Sequence, residues 1–234
     1  MTFVNLPYLW MLQSFNSRDT GPFAMIGRRD SIWIMDNALP HDTLIDDGGL
    51  LEYYGRVIST GDADRLFSTL ERETPWQRGR LHIYGREVLE PRLTCWYGDL
   101  GASYTYSGRT VNPLPWTDTL SETRGKVESV ARSRFNSVLL NLYRDGNDSV
   151  AWHADNEPEL GDEPVIASLS VGVARRFAVR RRDRVGSTVR IDLGHGALVV
   201  MRGDFQRHWE HSIPKTSRPV QARINLTFRA ISVP

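Results

Sequence analysis

Arg223–Arg229, with the sequence RINLTFR, alternates strictly between polar and apolar side chains. Because successive side chains of a β-strand point to opposite faces, one face would carry two arginines, an asparagine and a threonine, and the other three apolar residues. At a rise of about 3.3 Å per residue, the two arginine Cα atoms lie about 20 Å apart. Their side chains could lean toward opposite ends of a small dicarboxylate. An edge strand with a solvated polar face is the alternative.

A second pattern, WHAD at residues 152–155, places a histidine two residues before an aspartate. In an extended chain His153 and Asp155 point to the same face, so an imidazole and a carboxylate could bind one metal ion. A further histidine would complete a two-histidine, one-carboxylate set, which leaves open positions and suits non-haem Fe(II). The candidates for that ligand are His195, His208 and His211. Because a His-x-Asp pattern is common by chance, an ordinary surface or core histidine is the alternative.

A third polar pair ends the run of residues 135–143. Asn141 and Tyr143 would share one face of a strand there, with Leu142 on the other. An amide and a phenol in this position could hydrogen-bond the same diacid. Buried polar groups with a purely structural role are the alternative.

Short apolar and β-branched runs fill the chain after Arg134. Turn-forming segments separate these runs, which cover residues 135–143, 166–173, 177–181, 188–193, 197–201 and 221–228. Many short strands with polar turns predict a mainly β, α+β protein with a sandwich or barrel-like pair of sheets and helices packed outside.

Two helices and a lead-in segment are expected before these strands. One helix would begin at Gly61-Asp62 and end near Pro75, and a second would follow Trp116 with an apolar stripe that includes Leu120 and Val127. Residues 1–30 lack clean periodicity, so we expect a loosely attached segment there and a single domain over residues 31–234.

The composition is that of a globular protein, with 40% hydrophobic residues, 24% charged residues and a net charge of +1. This charge does not by itself indicate nucleic acid as a partner. A single cysteine, Cys95, excludes an internal disulfide and a multi-cysteine zinc site. With neither a signal peptide nor a membrane span in the sequence, we expect a cytoplasmic protein, or a nuclear one in a eukaryote.

Taken together, these patterns resemble the AlkB family of Fe(II)/2-oxoglutarate-dependent dioxygenases. The resemblance covers about residues 81–231, and its elements occur in the family's order: Asn141-Leu142-Tyr143, His153-Ala154-Asp155, His211-Ser212-Ile213-Pro214 and Arg223-x-Asn225-x-x-x-Arg229. It implies a double-stranded β-helix, a jelly-roll-like core over about residues 135–231. It also implies nucleotide-recognition hairpins over about residues 80–110.

The resemblance also implies roles for these residues. His153, Asp155 and His211 would bind Fe(II), with His211 preferred over His208 because it precedes the Ser-Ile-Pro segment. Arg223 would hold the distal carboxylate of the cosubstrate 2-oxoglutarate, and Arg229 the end nearer the metal. Hydrogen bonds to the cosubstrate would come from Asn141, Tyr143 and Asn225.

Evidence for the substrate in the sequence is thinner. Glu157 follows Asp155 by two residues, and in repair-type members an acid at the matching position contacts the exocyclic amine of a damaged base. A solvated acid is the alternative. Tyr104 and Tyr106 alternate on a face that could stack on a flipped base, unless they are core aromatics.

Two further features could contact nucleic acid. The run Ile83-Tyr84-Gly85 resembles a hairpin that inserts an apolar finger into duplex DNA in some members, so Tyr84 could fill the space of a flipped base. An ordinary hairpin tip is equally compatible. A dense basic run could follow a phosphate backbone or form a solvated charged hairpin: Arg175, Arg176, Arg180, Arg181, Arg182 and Arg184.

From these features we expect a monomeric enzyme that demethylates N1-methyladenine and N3-methylcytosine in DNA, with RNA left open. It would use Fe(II), 2-oxoglutarate and O₂ and release succinate, CO₂ and formaldehyde. A dioxygenase that acts on protein or small molecules is one alternative, and a catalytically inactive nucleic-acid-binding module is another.

Overall fold

The computed structural model describes residues 39–83, 86–102, 104–106 and 109–232, with the backbone alone for residues 81–87 and 103–111 within these ranges. Residues 38–234 group into one compact unit. The expected lead-in segment, residues 1–30, lies outside the described residues, so the domain division near residue 30 stays a prediction.

Strands dominate this part of the chain, as the sequence predicted. They are β1 (Asp42–Asp46), β2 (Leu50–Tyr54), β3 (Arg80–Ile83), β4 (Arg86–Leu89), β5 (Leu93–Gly98), β6 (Tyr104–Tyr106), β7 (Arg109–Val111), β8 (Ser137–Tyr143), β9 (Val150–His153), β10 (Ile166–Gly172), β11 (Arg175–Arg181), β12 (Val189–Leu193), β13 (Ala197–Arg202), β14 (Trp209–Ile213) and β15 (Arg223–Arg229). The helices are α1 (Thr60–Glu73), α2 (Asp118–Ala131) and the single turn α3 (Phe205–His208), with a 3₁₀ turn at Pro158–Leu160.

The strands form two antiparallel sheets. The larger has the order β1-β2-β13-β10-β15-β8-β5, and the smaller has the order β12-β11-β14-β9. Two separate hairpins, β3-β4 and β6-β7, lie in the region where nucleotide-recognition hairpins were expected. The pair of sheets is the double-stranded β-helix that the family resemblance implied, and its larger sheet also includes β1, β2 and β5, which precede the expected core of about residues 135–231.

Two apolar clusters pack against opposite faces of the larger sheet. One cluster joins the sheet to α1 and α2, with Leu66 and Leu120 from the helices packed among Leu140, Leu169 and Leu226 of the sheet. Burying each such side chain contributes about 1.5–3 kcal/mol. Burial against the helices explains why β15 turns its apolar residues toward α1 and α2.

The second cluster fills the space between the two sheets. The smaller sheet contributes Phe177, Val179 and Ile213, and the larger sheet contributes residues such as Ile166 and Val199. The polar face of β15 is turned into the same space, because its apolar face is already committed to the helices. The layer between the sheets is therefore where polar side chains can converge.

Both long helices begin within two residues of the predicted positions, and each has a capping side chain. The hydroxyl of Ser59 accepts a hydrogen bond from the Asp62 N–H, and that of Thr117 accepts one from the Leu120 N–H. Helix α2 ends at Ala131, and its C-cap residue Arg132 has a left-handed backbone at φ 48°. Among the helices of the described residues, none combines the length and the apolar character that a membrane-spanning helix requires.

Candidate metal and cosubstrate site

Two neighbouring strands of the smaller sheet bring two histidines together. His153 at the end of β9 lies opposite His211 in β14, and their ring centroids are 4.3 Å apart. The pairing shifts register between His211 and Ile213, which is the mark of a β-bulge next to the site. Because both side chains point between the sheets, the sheet itself places two imidazoles side by side.

Asp155 completes the cluster from the loop that follows β9. The ligand-type atoms of His153, Asp155 and His211 all lie within 4.8 Å of one another. His153 Nδ1 lies 2.9 Å from the Ala151 carbonyl oxygen, which fixes the ring and leaves Nε2 3.8 Å from the Asp155 carboxylate. This is the facial arrangement of two imidazoles and one carboxylate that suits a divalent metal with open coordination positions.

The electrostatics keep His211 and Asp155 in the forms that bind metal. Burial lowers the pKa of His211 to about 3, with His153 adding to the effect, so this imidazole is neutral. Burial by itself would raise the pKa of Asp155, but the Arg229 guanidinium, which also hydrogen-bonds the carboxylate, outweighs this effect and the value is about 2. A neutral imidazole and an ionised carboxylate are the forms required of metal ligands.

The other two candidate histidines lie outside the cluster. His195 Nδ1 accepts a hydrogen bond from the Gly172 N–H at 2.8 Å, and its Nε2 lies 3.1 Å from Asp64. His208 ends α3, and its ring lies over Gly48. Of the three candidates that the sequence left open, only His211 joins His153 and Asp155 within the described residues.

A buried arginine lies at the other end of the polar face of β15. The Arg223 side chain is 1% exposed, and its Nη2 donates to Ser170 Oγ at 2.8 Å. Within the described part of the chain its Nε and Nη1 have no hydrogen-bond partner. The Tyr143 ring lies 5.1 Å from the guanidinium, and burial lowers the pKa of Arg223. A buried guanidinium with open donors fits a bidentate carboxylate.

Arg229 lies at the metal end of the same strand face. Its Nη2 lies 2.8 Å from Asp155 Oδ1, so the guanidinium touches the candidate ligand directly. The strand therefore carries one arginine beside the histidine–aspartate cluster and another buried arginine six residues away. A dicarboxylate between them would meet a cation near each end.

The amides expected to bind 2-oxoglutarate have protein partners of their own. Asn141 Oδ1 accepts from Arg92 Nε at 2.7 Å. Asn225 Nδ2 donates to Ser168 Oγ at 2.6 Å and to the Leu169 carbonyl at 3.2 Å, while its Oδ1 accepts from Thr227 at 2.9 Å. With both ends of its amide bonded within the protein, Asn225 is placed to order the pocket wall. A direct bond from either amide to the cosubstrate stays a prediction.

The structure describes the side chain of only one of the residues expected to contact a base. Glu157, two residues after Asp155, is half-buried, and its Oε2 is buried without a hydrogen-bond partner in the described structure. Tyr104 and Tyr106 lie in β6, but only their backbone belongs to the described structure. Tyr84 lies outside the described residues. Stacking by these tyrosines stays a prediction.

Most arginines of the dense basic run have acidic partners. Arg176 pairs with Asp192, Arg181 with Asp47 and Asp183, and both Arg180 and Arg184 with Glu210. The Arg182 guanidinium donates to the Gln206 carbonyl. The run is largely neutralised by neighbouring acids, which weakens the expectation that it follows a phosphate backbone.

Arg175 differs from the rest of the run because it is buried. Its guanidinium donates to the carbonyl oxygens of Asp145, Asp148 and Pro214, each at 2.9 Å. These bonds tie together the loops before β9 and after β14. The structure therefore places Arg175 inside the protein as a loop anchor rather than on a surface that phosphate could reach.

Sequence reasoning missed the partners that support these side chains. Ser168 and Ser170 interrupt the otherwise apolar strand β10 at alternate positions, and this spacing could have indicated a polar inner face. Arg92 follows Pro91 in a loop, and Gln206 lies on a single helical turn. No periodic signal marks either residue, because their partners are distant in sequence.

Comparison with known proteins places this geometry among oxygenases. The family model described as the 2OG-Fe(II) oxygenase superfamily matches residues 51–229. The chain is 38% identical to the Mus musculus alpha-ketoglutarate-dependent dioxygenase alkB homolog 3, over 83% of this chain and 74% of that protein. It is also 38% identical to the Homo sapiens DNA oxidative demethylase ALKBH2, over 76% of this chain and 72% of that protein.

Two solved structures share the fold at low identity. One is described as the structure of OsALKBH1, with a TM-score of 0.54 at 14% identity, and it covers 82% of this chain and 100% of that chain. The other is a Trichoplax adhaerens prolyl hydroxylase in complex with a peptide fragment, with a TM-score of 0.55 at 12% identity over 78% of this chain and 83% of that chain. At these identities the likeness concerns the fold alone.

Proposed function

The chain belongs to the 2OG-Fe(II) oxygenase superfamily and, within it, to the AlkB family, and from this membership we propose that it oxidatively demethylates N-alkylated bases of nucleic acid. The observation that carries the proposal is the cluster of His153, Asp155 and His211, with Arg229 beside it and the open donors of Arg223 at the far end of the same strand. A module that had lost catalysis would have no need for this complete set.

The cluster fits Fe(II), because it offers two imidazoles, one carboxylate and room for further ligands. Bound Fe(II), with 2-oxoglutarate and O₂, supplies oxidation of the N-methyl group, and the products are the restored base, formaldehyde, succinate and CO₂. His153, Asp155 and His211 would hold the metal. Arg229 neutralises part of the Asp155 charge and keeps the carboxylate in place through its 2.8 Å contact.

The pocket around Arg223 fits the distal carboxylate of 2-oxoglutarate. Its Nε and Nη1 are buried without hydrogen-bond partners in the described structure, so a carboxylate would satisfy donors that are otherwise costly to bury. Tyr143, Asn141 and Asn225 line or support the same strand face. Walls this deeply buried also exclude water, which keeps the reaction directed at the bound substrate.

The base specificity that we propose depends on Glu157. Among the described residues its Oε2 is buried and has no hydrogen-bond partner, so it can accept a hydrogen bond from an exocyclic amine. N1-methyladenine and N3-methylcytosine both carry such an amine. Tyr104 and Tyr106 would stack on the flipped base, and Tyr84 would fill its place in the duplex.

One observation favours a second candidate, a dioxygenase that acts on protein or small molecules. The arginines of the basic run are paired with acids at Asp47, Asp183, Asp192 and Glu210 and so present little net positive charge. The relatives support the nucleic-acid proposal, since one of them is named a DNA oxidative demethylase. We also propose a monomeric enzyme, because one chain supplies all three ligand residues, acting in the cytoplasm or in a eukaryotic nucleus.

The decisive experiment measures formaldehyde release from oligonucleotides that carry one N1-methyladenine or N3-methylcytosine, as single strands and as duplexes. Release that requires Fe(II) and 2-oxoglutarate and disappears in His211→Ala supports the proposal. The second candidate would be supported instead if none of these oligonucleotides releases formaldehyde while a peptide or small molecule is hydroxylated and succinate is formed.

A further inference from the structure

A buried glutamine, Gln206, contacts the backbone of the aspartate in the metal cluster. It lies on α3, between β13 and β14, and is 2% exposed. Its Oε1 accepts a hydrogen bond from the Asp155 N–H at 2.9 Å, and its Nε2 lies 3.4 Å from Met201 Sδ. The orientation of the amide follows from chemistry, since only the oxygen can accept from an N–H.

Asp155 needs such a partner because of its place in the chain. Strand β9 ends at His153, and residues 154–157 belong to no strand. Within the described residues the Asp155 N–H therefore has no ladder partner, although the residue is only 3% exposed. A buried N–H without an acceptor is costly, so the Gln206 oxygen takes the place of a strand neighbour.

We propose that Gln206 is a positioning residue for the metal site, acting through the backbone of Asp155. Asp155 is held at two points: Gln206 fixes its main chain, and Arg229 contacts its carboxylate at 2.8 Å. The two contacts together fix the direction in which the second carboxylate oxygen points. Groups that orient a metal ligand in this way typically change metal affinity about 10- to 100-fold when removed. The inference rests on the metal site of the proposed function.

The experiment measures Co(II) binding to the full chain by the visible absorption of the metal, together with the melting temperature. Gln206→Met keeps the volume but removes the acceptor. Met201→Leu is the matched control, because it removes the other partner of the amide and leaves the bond to Asp155. Gln206→Glu keeps an oxygen acceptor in either protonation state.

We expect Gln206→Met to weaken Co(II) binding about 10- to 100-fold and to change the shape of the absorption band. Met201→Leu should bind like the unsubstituted protein, and Gln206→Glu should recover most of the affinity. Should Gln206→Met fail to fold, Gln206→Asn replaces it, because this change withdraws the amide by one methylene.

Three results would overturn the proposed role of Gln206 while leaving the metal site itself in place. They are unchanged Co(II) affinity in Gln206→Met, an equal loss of affinity in Met201→Leu, and no recovery of affinity in Gln206→Glu. If Gln206→Met lowers only the melting temperature and leaves Co(II) affinity and spectrum unchanged, Gln206 is a packing residue. If the unsubstituted protein binds no Co(II), the proposed metal site is wrong and this inference falls with it.

Discussion

At the scale of single residues, the site depends on side chains whose charge is set by their neighbours. Asp155 is ionised while buried because the Arg229 guanidinium lies against its carboxylate, and His211 is neutral because burial disfavours its charged form. Arg223 is a cation that the described residues supply with no carboxylate partner. These three environments differ although all three side chains lie in one layer, and each suits a different part of a metal and dicarboxylate site.

The metal ligands give the first prediction. Alanine at His153, Asp155 or His211 should lower 2-oxoglutarate turnover by more than about 100-fold, because a three-ligand site cannot lose one ligand and keep its metal. Turnover and bound iron should be measured on the same preparations. His208→Ala is the matched control and should keep most of both, since His208 lies outside the cluster. Loss of iron in His208→Ala but not in His211→Ala would contradict the choice of ligand.

Arg223 gives the second prediction. Arg223→Lys keeps the charge but loses the planar fork that binds a carboxylate with two bonds. The KM for 2-oxoglutarate should rise by about tenfold or more, while the affinity for a methylated oligonucleotide should stay within about twofold. Steady-state kinetics and oligonucleotide binding measure the two quantities separately. An unchanged KM with weakened oligonucleotide binding would reverse the assignment.

Glu157 gives the third prediction. A carboxylate opposite the carbonyl of N3-methylthymine leaves both acceptors unpaired, which typically costs about 1–3 kcal/mol, or about 5- to 150-fold in preference. Glu157→Gln offers a donor as well as an acceptor, so the preference for methylated adenine and cytosine over methylated thymine should narrow. Competition between the three lesions in one reaction measures this ratio. If Glu157→Gln and the unsubstituted protein show the same preference ratio, Glu157 does not take part in base recognition.

At the scale of elements, strict alternation made β15 predictable. The apolar residues of Arg223–Arg229 pack toward the helices and its polar residues turn between the sheets, as the pattern of RINLTFR requires. Short apolar and β-branched runs between turn segments predicted β8 and β10 to β13, and helical periodicity with start and stop signals predicted both long helices. Strands β1, β2, β9 and β14 carry mixed patterns of only four or five residues and were not predicted. Their pairing with partners distant in sequence, rather than local propensity, holds them extended.

Helix α1 gives the fourth prediction, because its capping side chain is a single hydroxyl. Ser59→Ala removes the bond from the Asp62 N–H to Ser59 Oγ, which measures 3.1 Å. The free energy of unfolding should fall by about 1 kcal/mol in denaturant titrations. Ser68→Ala, at an exposed position in the same helix, is the control and should change stability by less than about 0.5 kcal/mol. Equal effects of the two substitutions would mean that the cap contributes nothing specific.

At the scale of the whole molecule, the site is shared between the two sheets. The smaller sheet supplies His153 and His211, while the larger supplies Arg223, Arg229 and Tyr143. The sequence motifs identified these residues one by one, and the resemblance supplied their order. Their convergence depends on how the sheets face each other, and on supports such as Gln206 that no local pattern marks. The ligand set was therefore predictable, whereas the supporting contacts and the acidic partners of the arginine run were not.

Sharing the site between sheets gives the fifth prediction, which concerns stability. The binding site for Mn(II) and 2-oxoglutarate would exist only in the folded state. Each ligand, at 100 times its dissociation constant, should therefore add about 2.7 kcal/mol to the free energy of unfolding. For a domain of this size that corresponds to a rise in Tm of about 5–10 °C per ligand. In Arg223→Lys the Mn(II) increment should remain and the 2-oxoglutarate increment should shrink. If 2-oxoglutarate raises the Tm of the unsubstituted protein and of Arg223→Lys by the same amount, the proposed binding site for 2-oxoglutarate is wrong.

Binding of a carboxylate by the buried Arg223 would make the enzyme sensitive to the concentration of its product succinate. The carboxylate that we propose for Arg223 belongs to the part of 2-oxoglutarate that survives as succinate, so the product would offer Arg223 the same carboxylate as the cosubstrate. Discrimination between the two must then come from the metal end, near Arg229 and Asp155, where the molecules differ. Turnover would accordingly follow the ratio of 2-oxoglutarate to succinate rather than the concentration of 2-oxoglutarate alone. A repair reaction built on this pocket would slow whenever succinate accumulates, even with damaged substrate in excess.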